Sequence, residues 1–343
     1  MSKPDSVNSG YSTMAGTAPG GSAGELDLGR GYGIALLSAA VFSLNAIFIR
    51  YLTETFELPA LVLSFWREFL LAVFLGAVLG LWRPSLLRVG RKHLGYLFAY
   101  GLALAAFNAV WTITVDLTGA AVGTVMGYTS AAFTALLGWW LLHESMSGAK
   151  VAAVGLTLGG CALISGAPGS SAWHANLPGV LAGLLSGLGY SAYSLMGRRA
   201  AQKRINPWTA LFYTFAFASV WMLGANLLGG RVLPGAAAMP QEMFWLGRSA
   251  AGWGALLTLA AGPTLVGYGL YNVSLNYLAS STANLIATVE PAFTAVVAWF
   301  VLGERFTLQQ VLGAGLIGAG VVWLRLHERR HADPAADAEP TER

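Results

Sequence analysis

Residues 280–304, SSTANLIATVEPAFTAVVAWFVLGE, form a stretch that is long and apolar enough to cross a lipid bilayer. Glu290 lies near the midpoint of this stretch, and Pro291 follows it directly. A carboxylate at that depth is energetically costly, so it usually faces a partner or a water-filled cavity. The proline removes one helical hydrogen bond at the same place. The stretch therefore predicts a membrane-spanning helix with a charge and loosened backbone groups near the bilayer centre.

The composition of the whole chain is typical of an all-α membrane protein. Of its 343 residues, 55% are hydrophobic and 10% are charged, whereas soluble domains carry about 25% charged residues. The 43 glycines suit helices that pack closely in lipid. The sequence pI is about 9.2. The basic residues lie in short loops and tails, which indicates membrane topology and argues against a nucleic-acid partner.

Ten apolar segments, most of them about 20 residues long, are predicted to span the membrane. They cover residues 31–52, 60–82, 94–115, 119–142, 150–166, 177–197, 207–229, 252–276, 280–302 and 308–325. Residues 1–29 are predicted to be a disordered tail, because they contain no apolar run. A polar linker is expected at residues 167–176, and a charged cytoplasmic tail at residues 326–343.

The basic residues predict the orientation in the membrane. With ten spans both termini lie on one side, and placing them in the cytoplasm puts fifteen Lys and Arg residues inside and four outside. The inside group is Lys3, Arg30, Arg83, Arg88, Arg91, Lys92, Lys150, Arg198, Arg199, Lys203, Arg204, Arg325, Arg329, Arg330 and Arg343. The outside group is Arg50, Arg231, Arg248 and Arg305. This asymmetry predicts that both termini are cytoplasmic.

Two parts of the chain repeat each other in sequence. Residues 131–144, AAFTALLGWWLLHE, match residues 291–304, PAFTAVVAWFVLGE, at a constant offset of 160. The register continues into the following segment, where Gly155 corresponds to Gly315. Each half then holds five segments, and an odd number inverts the second half relative to the first. Inverted halves are typical of secondary transporters, because they can rock around a central site and expose it to either side.

The arrangement of the two units resembles the EamA-type transporters of the drug/metabolite transporter superfamily. In each unit the fourth segment runs into a terminal Glu and a glycine-rich fifth segment follows. Residues 290–304, EPAFTAVVAWFVLGE, carry the resemblance most clearly, while the first unit lacks the Glu-Pro pair. The resemblance covers the predicted repeats at 30–166 and 177–325. It implies ten transmembrane helices in two inverted five-helix repeats around a central cavity, and export of small metabolites, often amino acids.

Glu290 is the sharpest candidate for a functional residue. It could couple a proton to substrate movement, or it could bind an amine on the substrate. The alternative is a structural carboxylate that bonds to the backbone groups freed by Pro291. The sequence supports both interpretations equally.

Arg67, in the stretch SFWREFL, is a basic residue within the second segment. Its neighbour Glu68 is a poor partner, because adjacent side chains diverge on a helix. Arg67 could face the cavity and meet a substrate carboxylate, or it could pair with Glu290. Alternatively it reaches toward the outer interface, which its position about two turns from the start of the segment slightly favours. Trp66 is a further candidate at the same level.

Aromatic and amide side chains recur within the predicted spans, several of them at helical spacing, and some of them are expected to line the pathway. These candidates are Asn45, Asn108, Tyr128, Tyr190, Tyr193, Tyr268 and Tyr271. Packing between helices is the alternative for each residue taken singly.

Two prolines and two glutamates mark the ends and bends of segments. Pro263 and Pro291 are predicted to kink the eighth and ninth segments, whereas the first half has alanine at both matching positions. This difference predicts such kinks in the second half alone. Glu144 and Glu304 end their segments, and each is expected to bond to the short following loop or to cap the next helix.

Other functional classes fit the sequence less well. The five histidines lie in loops or tails without metal-ligand spacing, and no P-loop is present, so we expect no enzyme activity, no metal and no cofactor. A channel would need rings of charge or a carbonyl filter, and neither is evident. A flippase for lipid-linked or amphipathic molecules and a drug exporter are alternatives, and a non-transport membrane protein is a remote one.

These observations favour a secondary active transporter in a bacterial cytoplasmic membrane. Its expected partners are a small-molecule substrate and the lipid bilayer, and a proton or another ion gradient is a candidate driving force.

Overall fold

The computed structural model of the protein describes residues 20–164, 177–230, 232–302 and 307–332. In chain order the α-helices are α1 (Gly20–Phe56), α2 (Ala60–Trp82), α3 (Arg91–Tyr128), α4 (Ser130–Leu142), α5 (Gly148–Ile164), α6 (Leu177–Gln202), α7 (Pro207–Gly229), α8 (Ala250–Leu259), α9 (Leu265–Ser274), α10 (Ser280–Ala287), α11 (Glu290–Leu302) and α12 (Leu308–Ala332). Two short 3-10 helices, Pro84–Leu87 and Pro240–Phe244, and a π-helical turn, Ala260–Thr264, lie between them. The predicted all-α architecture is confirmed for the described residues.

Within these residues, seven helical stretches are long and apolar enough to cross a membrane. They are Asp27–Phe56, Ala60–Trp82, Arg91–Trp111, Pro178–Gln202, Pro207–Gly229, Ala250–Ser274 and Val311–Glu328. Gly148–Leu163 is a shorter apolar helix. The chain is therefore a multi-pass membrane protein, as its composition predicts.

Helix α3 contains the third predicted segment and part of the fourth, and it turns back on itself. The Cδ1 atom of Trp111 lies 3.5 Å from the position that a Cβ would take on Gly127. In a straight helix the rise of 1.5 Å per residue would separate these residues by about 24 Å. Thr114 and Met126 likewise meet at one point on α6, where each lies within 3.1 Å of a Cβ placed on Gly183. The chain therefore reverses direction between Thr114 and Met126.

The sequence repeat also appears in the helix boundaries. Helix α4 begins at Ser130 and α11 begins at Glu290, so their starts differ by the offset of 160. Helices α5 and α12 begin at Gly148 and Leu308, which differ by the same offset. The two halves therefore share a backbone pattern as well as a sequence pattern in this region.

Helices are interrupted at equivalent places in the two halves, before α4 and before α11. At both places a threonine hydroxyl donates to the carbonyl three residues earlier. Thr129 donates to Met126 at 2.5 Å, and Thr288 donates to Leu285 at 2.6 Å. Such a bond competes with the helical pattern and bends the helix. The first half is therefore also interrupted at this place, although it has no proline there.

Matching helices of the two halves pack against each other through glycines. On α5, a Cβ on Gly160 would stand 2.5 Å from the carbonyl oxygen of Gly313 on α12. On α12, a Cβ on Gly320 would stand 2.9 Å from Cγ2 of Thr157. Helices α2 and α7 also pack together, and Asn226 Nδ2 donates to the Leu61 carbonyl at 3.1 Å. Small residues allow such close approach of backbones in lipid.

The ends of the first and last helices differ from the sequence prediction. Helix α1 includes residues 20–29, which the sequence assigns to the predicted N-terminal tail. Helix α12 continues to Ala332, past the predicted boundary at residue 325. Extending an existing helix costs little, because each added residue gains one hydrogen bond. The predicted linker at 167–176 lies outside the described residues, and so does Glu304.

Candidate functional site

Four tyrosines from α6 and α9 form one aromatic cluster, and we call Tyr190, Tyr193, Tyr268 and Tyr271 the tyrosine cluster. The ring centroid of Tyr193 lies 5.7 Å from that of Tyr268 and 6.3 Å from that of Tyr271. Tyr190 stacks on Tyr193 with the centroids 6.1 Å apart. Residues three apart share a helix face, so each helix presents two rings to the other. The structure thus brings together four residues that the sequence names as candidates.

A chain of polar side chains links the tyrosine cluster to both halves. The Tyr271 hydroxyl donates to Ser194 Oγ at 2.7 Å, and Asn284 Nδ2 donates to the same oxygen at 2.9 Å. The Ser130 hydroxyl donates to Asn284 Oδ1 at 3.0 Å. Ser130 begins α4 in the first half, whereas Asn284 lies in α10 of the second half. Since buried polar groups need partners, this chain of hydrogen bonds holds the halves together beside the cluster.

Tyr100 of α3 joins the cluster, and the sequence analysis missed it. Its ring centroid lies 4.9 Å from that of Tyr193. Its hydroxyl donates to Asn272 Oδ1 at 3.2 Å, while Asn272 Nδ2 donates to the Tyr193 hydroxyl at 3.2 Å. The available signal was the spacing of Tyr96 and Tyr100, which puts two tyrosines on one face of the third segment.

Glu290 lies at the start of α11, directly after the helix interruption. Its carboxyl group interacts with the hydroxyl of Tyr128, which ends α3 in the first half. Tyr190 and Tyr268 are within electrostatic reach of the same carboxyl group. Glu290, Tyr128 and Tyr190 are each half-buried. The arrangement joins a carboxylate of the second half to a tyrosine of the first at the edge of the tyrosine cluster.

A second membrane carboxylate, Glu68 of α2, is fully buried, with 0% of its surface exposed. Its Oε1 accepts a hydrogen bond from Asn108 Nδ2 at 2.5 Å. Its Oε2 has no hydrogen-bond partner among the described residues. Asn108 is a candidate predicted from the sequence, whereas Glu68 is considered there only as a poor partner for Arg67. The signal that could have found it is the one used for Glu290, an acid within an apolar span.

Arg67 also has a buried atom without a partner. Its Nε is buried and makes no hydrogen bond in the part of the chain described. Arg67 and Glu68 are both within electrostatic reach of the Tyr268 hydroxyl. A buried Nε fits a side chain that faces the helix bundle better than one that reaches toward the interface. No ion pair joins Arg67 to Glu290 in the described part of the structure.

Asn45 is bonded to the π-helical turn that contains Pro263. Pro263 lies inside the π-helical turn Ala260–Thr264 that separates α8 from α9. Thr264 Oγ1 donates to Asn45 Oδ1 at 2.8 Å, which ties this turn to α1. A π-helical turn widens the helix and absorbs the proline, and such turns are frequent at functional sites.

Trp66 belongs to a different aromatic group, away from the tyrosine cluster. Its Nε1 donates to the Met243 carbonyl at 2.5 Å. Its ring centroid lies 4.9 Å from that of Trp253 and 5.6 Å from that of Phe244. Trp66 therefore anchors the segment around Pro240–Phe244, and the structure does not place it with the other candidates.

Glu144 makes contacts that the sequence analysis did not anticipate. Its carboxylate accepts hydrogen bonds from the backbone N–H and hydroxyl of Ser280, at 2.7 and 2.6 Å. It accepts two more from Ser281, at 3.2 and 2.6 Å. These bonds cap α10 of the other half and not the next helix, α5, because four donors meet at the α10 start. Lys150 Nζ donates to Ser281 Oγ at 3.0 Å and completes the group.

The site as a whole offers aromatic faces, amides, two carboxyl groups and one guanidinium. No group of three or more His, Cys, Asp or Glu side chains that could hold a metal ion occurs in the described ranges. This chemistry suits reversible binding of an amphipathic molecule.

Comparison with known proteins gives the same picture. A sequence profile of the EamA-like transporter family matches residues 29–166 and 177–326. A solved crystal structure aligns with a TM-score of 0.69 at 18% identity, covering 91% of this chain and 99% of the other, which supports the fold.

Several relatives carry transporter names. A "Probable amino-acid metabolite efflux pump" of Salmonella typhimurium is 24% identical over 84% of this chain and 92% of its own length. An "Uncharacterized transporter YwfM" of Bacillus subtilis is 25% identical over 74% of this chain and 80% of its own length. An "Uncharacterized transporter" of Archaeoglobus fulgidus is 28% identical, but the match spans 42% of this chain and 46% of that relative.

The family profile matches both halves of the chain, which is most of its length, and the family is one of transporters and not of enzymes. The chain belongs to the EamA-like transporter family.

Proposed function

We propose that the chain is a secondary active transporter that exports small metabolites such as amino acids across the cytoplasmic membrane by alternating access. The observation that carries this proposal is the hydrogen bond between Ser130 and Asn284, which joins the two halves beside the tyrosine cluster. A site between repeated halves can be exposed to either side when the halves rock. The name of the Salmonella typhimurium relative supports amino-acid cargo.

The proposed architecture is ten transmembrane helices in two inverted five-helix repeats around a central cavity. The seven long apolar spans and the shorter Gly148–Leu163 account for eight of them. Two spans remain. The fourth in chain order is the part of α3 after its reversal together with α4, and the ninth is α10 together with α11. The excess of basic residues in alternate loops supports cytoplasmic termini.

Glu290 is proposed to couple proton movement to transport. It lies at the start of α11, directly after a helix interruption, and it interacts with Tyr128 of the first half. Carboxylates within spans commonly serve as proton carriers in transporters.

One end of the bundle carries several contacts between the halves. Glu144 of the first half caps α10 of the second. Glu328 accepts hydrogen bonds from Tyr32 of α1 and from Thr282 of α10, both at 2.8 Å. The predicted orientation puts these contacts on the cytoplasmic side. They would close that side in this state, and alternating access requires that they break when the cavity opens inward.

A comparison of metabolites in bacterial cells with and without the gene tests the proposed function. The expected result is that one or more amino acids accumulate inside the deletion strain, and that expression of the gene restores export. A screen with no accumulation of any small metabolite, repeated with the gene overexpressed, would overturn metabolite export.

A further inference from the structure

Two adjacent charged residues in α2 each keep one buried polar atom without a partner. Glu68 Oε2 can accept hydrogen bonds, and Arg67 Nε can donate one, yet neither atom makes one within the described residues. Leaving such atoms unpaired inside a protein is costly, more so for charged groups. An arrangement of this kind is therefore expected where a ligand supplies the missing partners.

Arg67 and Glu68 interact electrostatically, but no hydrogen bond or ion pair joins them within the described residues. Adjacent side chains on a helix point about 100° apart, so they do not face one another. They can instead flank a molecule that lies against the same turn of α2. Asn108 holds one oxygen of Glu68 from the neighbouring α3, at 2.5 Å, and so fixes the direction of the carboxylate.

Both charges adjoin the tyrosine cluster. Tyr268 is within electrostatic reach of Arg67 and of Glu68. Its ring packs edge-on against Tyr193 at 5.7 Å and against Phe42 at 4.8 Å. The place beside α2 therefore combines a cation and an anion with an aromatic ring in electrostatic reach of both.

We propose that Arg67 and Glu68 bind the carboxylate and the ammonium of a zwitterionic α-amino acid, whose side chain packs on the tyrosine cluster. The ammonium donates to Glu68 Oε2, and the carboxylate accepts from the Arg67 guanidinium, both as charge-assisted hydrogen bonds. The ligand then neutralises the buried Glu68 charge and the half-buried Arg67 charge together. This inference rests on the proposed function, since it names the substrate class for the same site.

Three related ligands test the inference on the unmodified full-length protein in detergent. Phenylalanine carries both charged groups, 2-phenylethylamine lacks the carboxylate, and 3-phenylpropionate lacks the ammonium. Calorimetric titration should show phenylalanine binding about tenfold or more tighter than either analogue. Equal binding of the three, or tighter binding of an analogue, would overturn the inference. So would a failure to bind phenylalanine and every other standard amino acid.

Variants then assign the groups. Glu68→Gln should weaken phenylalanine binding about tenfold while sparing 3-phenylpropionate, and Arg67→Gln should weaken phenylalanine while sparing 2-phenylethylamine. Glu68→Asp keeps the charge and should retain the preference for phenylalanine over 3-phenylpropionate. Glu57→Gln makes the same chemical change on an exposed carboxylate and is the matched control. Variants that weaken all three ligands equally would show a structural role and contradict the assignment.

The outcome separates this inference from the proposed function. Gene-dependent export of a metabolite that is not an amino acid, together with no amino-acid binding, would leave transport intact and remove the zwitterion site. Absence of export with preserved amino-acid binding would remove the transport proposal and keep the zwitterion site.

Discussion

The Glu144 carboxylate caps a helix that belongs to the other half of the chain, accepting from Ser280 N at 2.7 Å and from Ser281 Oγ at 2.6 Å. The bond spans about 136 residues of sequence and joins two repeats at the start of α10. Contacts of this kind can hold one end of a transporter closed, because they must break before the halves separate there.

Glu144→Gln should weaken this closure. An amide has one accepting oxygen and no charge, so the charge-assisted bonds to α10 are lost. We expect a loss of about 2 kcal/mol in the free energy of unfolding. Thermal unfolding of the purified protein followed by tryptophan fluorescence measures it. Glu57→Gln is the control at an exposed position, and an equal effect of both variants would contradict the cap.

Thr288→Val tests the cause of the helix interruption before α11. Valine keeps the shape of threonine but cannot donate to the Leu285 carbonyl, a bond of 2.6 Å. The helix should straighten, which moves Glu290 relative to Tyr128 and lowers the transport rate on the order of tenfold. Thr258→Val removes a similar hydroxyl bond, to the Gly254 carbonyl at 2.8 Å, in a regular helix and should leave the rate unchanged. Equal rates for both variants would refute a role for the bend.

The sequence predicts the repeat and the tyrosine faces better than it predicts the charged contacts. The offset of 160 and the spacing of Tyr190 with Tyr193 depend on local periodicity, which a helix preserves. The partners of Glu144 and Glu68 lie on other helices, so only the three-dimensional packing places them. The bend at Thr129 was missed because a hydroxyl bond to the backbone leaves a weaker sequence signal than proline.

Glu290→Gln tests proton coupling. Glutamine fills the same space and can still accept from Tyr128, but it cannot carry a proton between the two sides. Transport in reconstituted vesicles should lose its response to an imposed pH gradient while exchange of substrate without a gradient continues. Tyr128→Phe removes the partner and keeps the carboxyl group, so it should retain the response. A full response in Glu290→Gln would show that the carboxyl group is structural.

Gly160→Ala should destabilise the contact between α5 and α12. The added Cβ would stand 2.5 Å from the Gly313 carbonyl oxygen, which forces the two helices apart. We expect a loss of about 1–3 kcal/mol in the free energy of unfolding, as for other overpacked sites. Gly155→Ala on the same helix meets nothing within 4 Å and is the matched control. Equal stability of the two variants, measured by thermal unfolding, would contradict the close packing.

Two equivalent positions at helix starts test the inverted topology directly. Arg91 begins α3, and Ala251 lies at the start of α8, which is the same place in the repeat at an offset of 160. Both residues are exposed, and the single native thiol, Cys161, is buried and can be replaced by serine. If five spans lie between residues 91 and 251, Ala251→Cys should react in intact cells with a maleimide that cannot cross the membrane. Arg91→Cys should react only after the cells are opened. Labelling of both cysteines from the same side would mean that an even number of spans lies between them, which is incompatible with halves that rock as inverted copies.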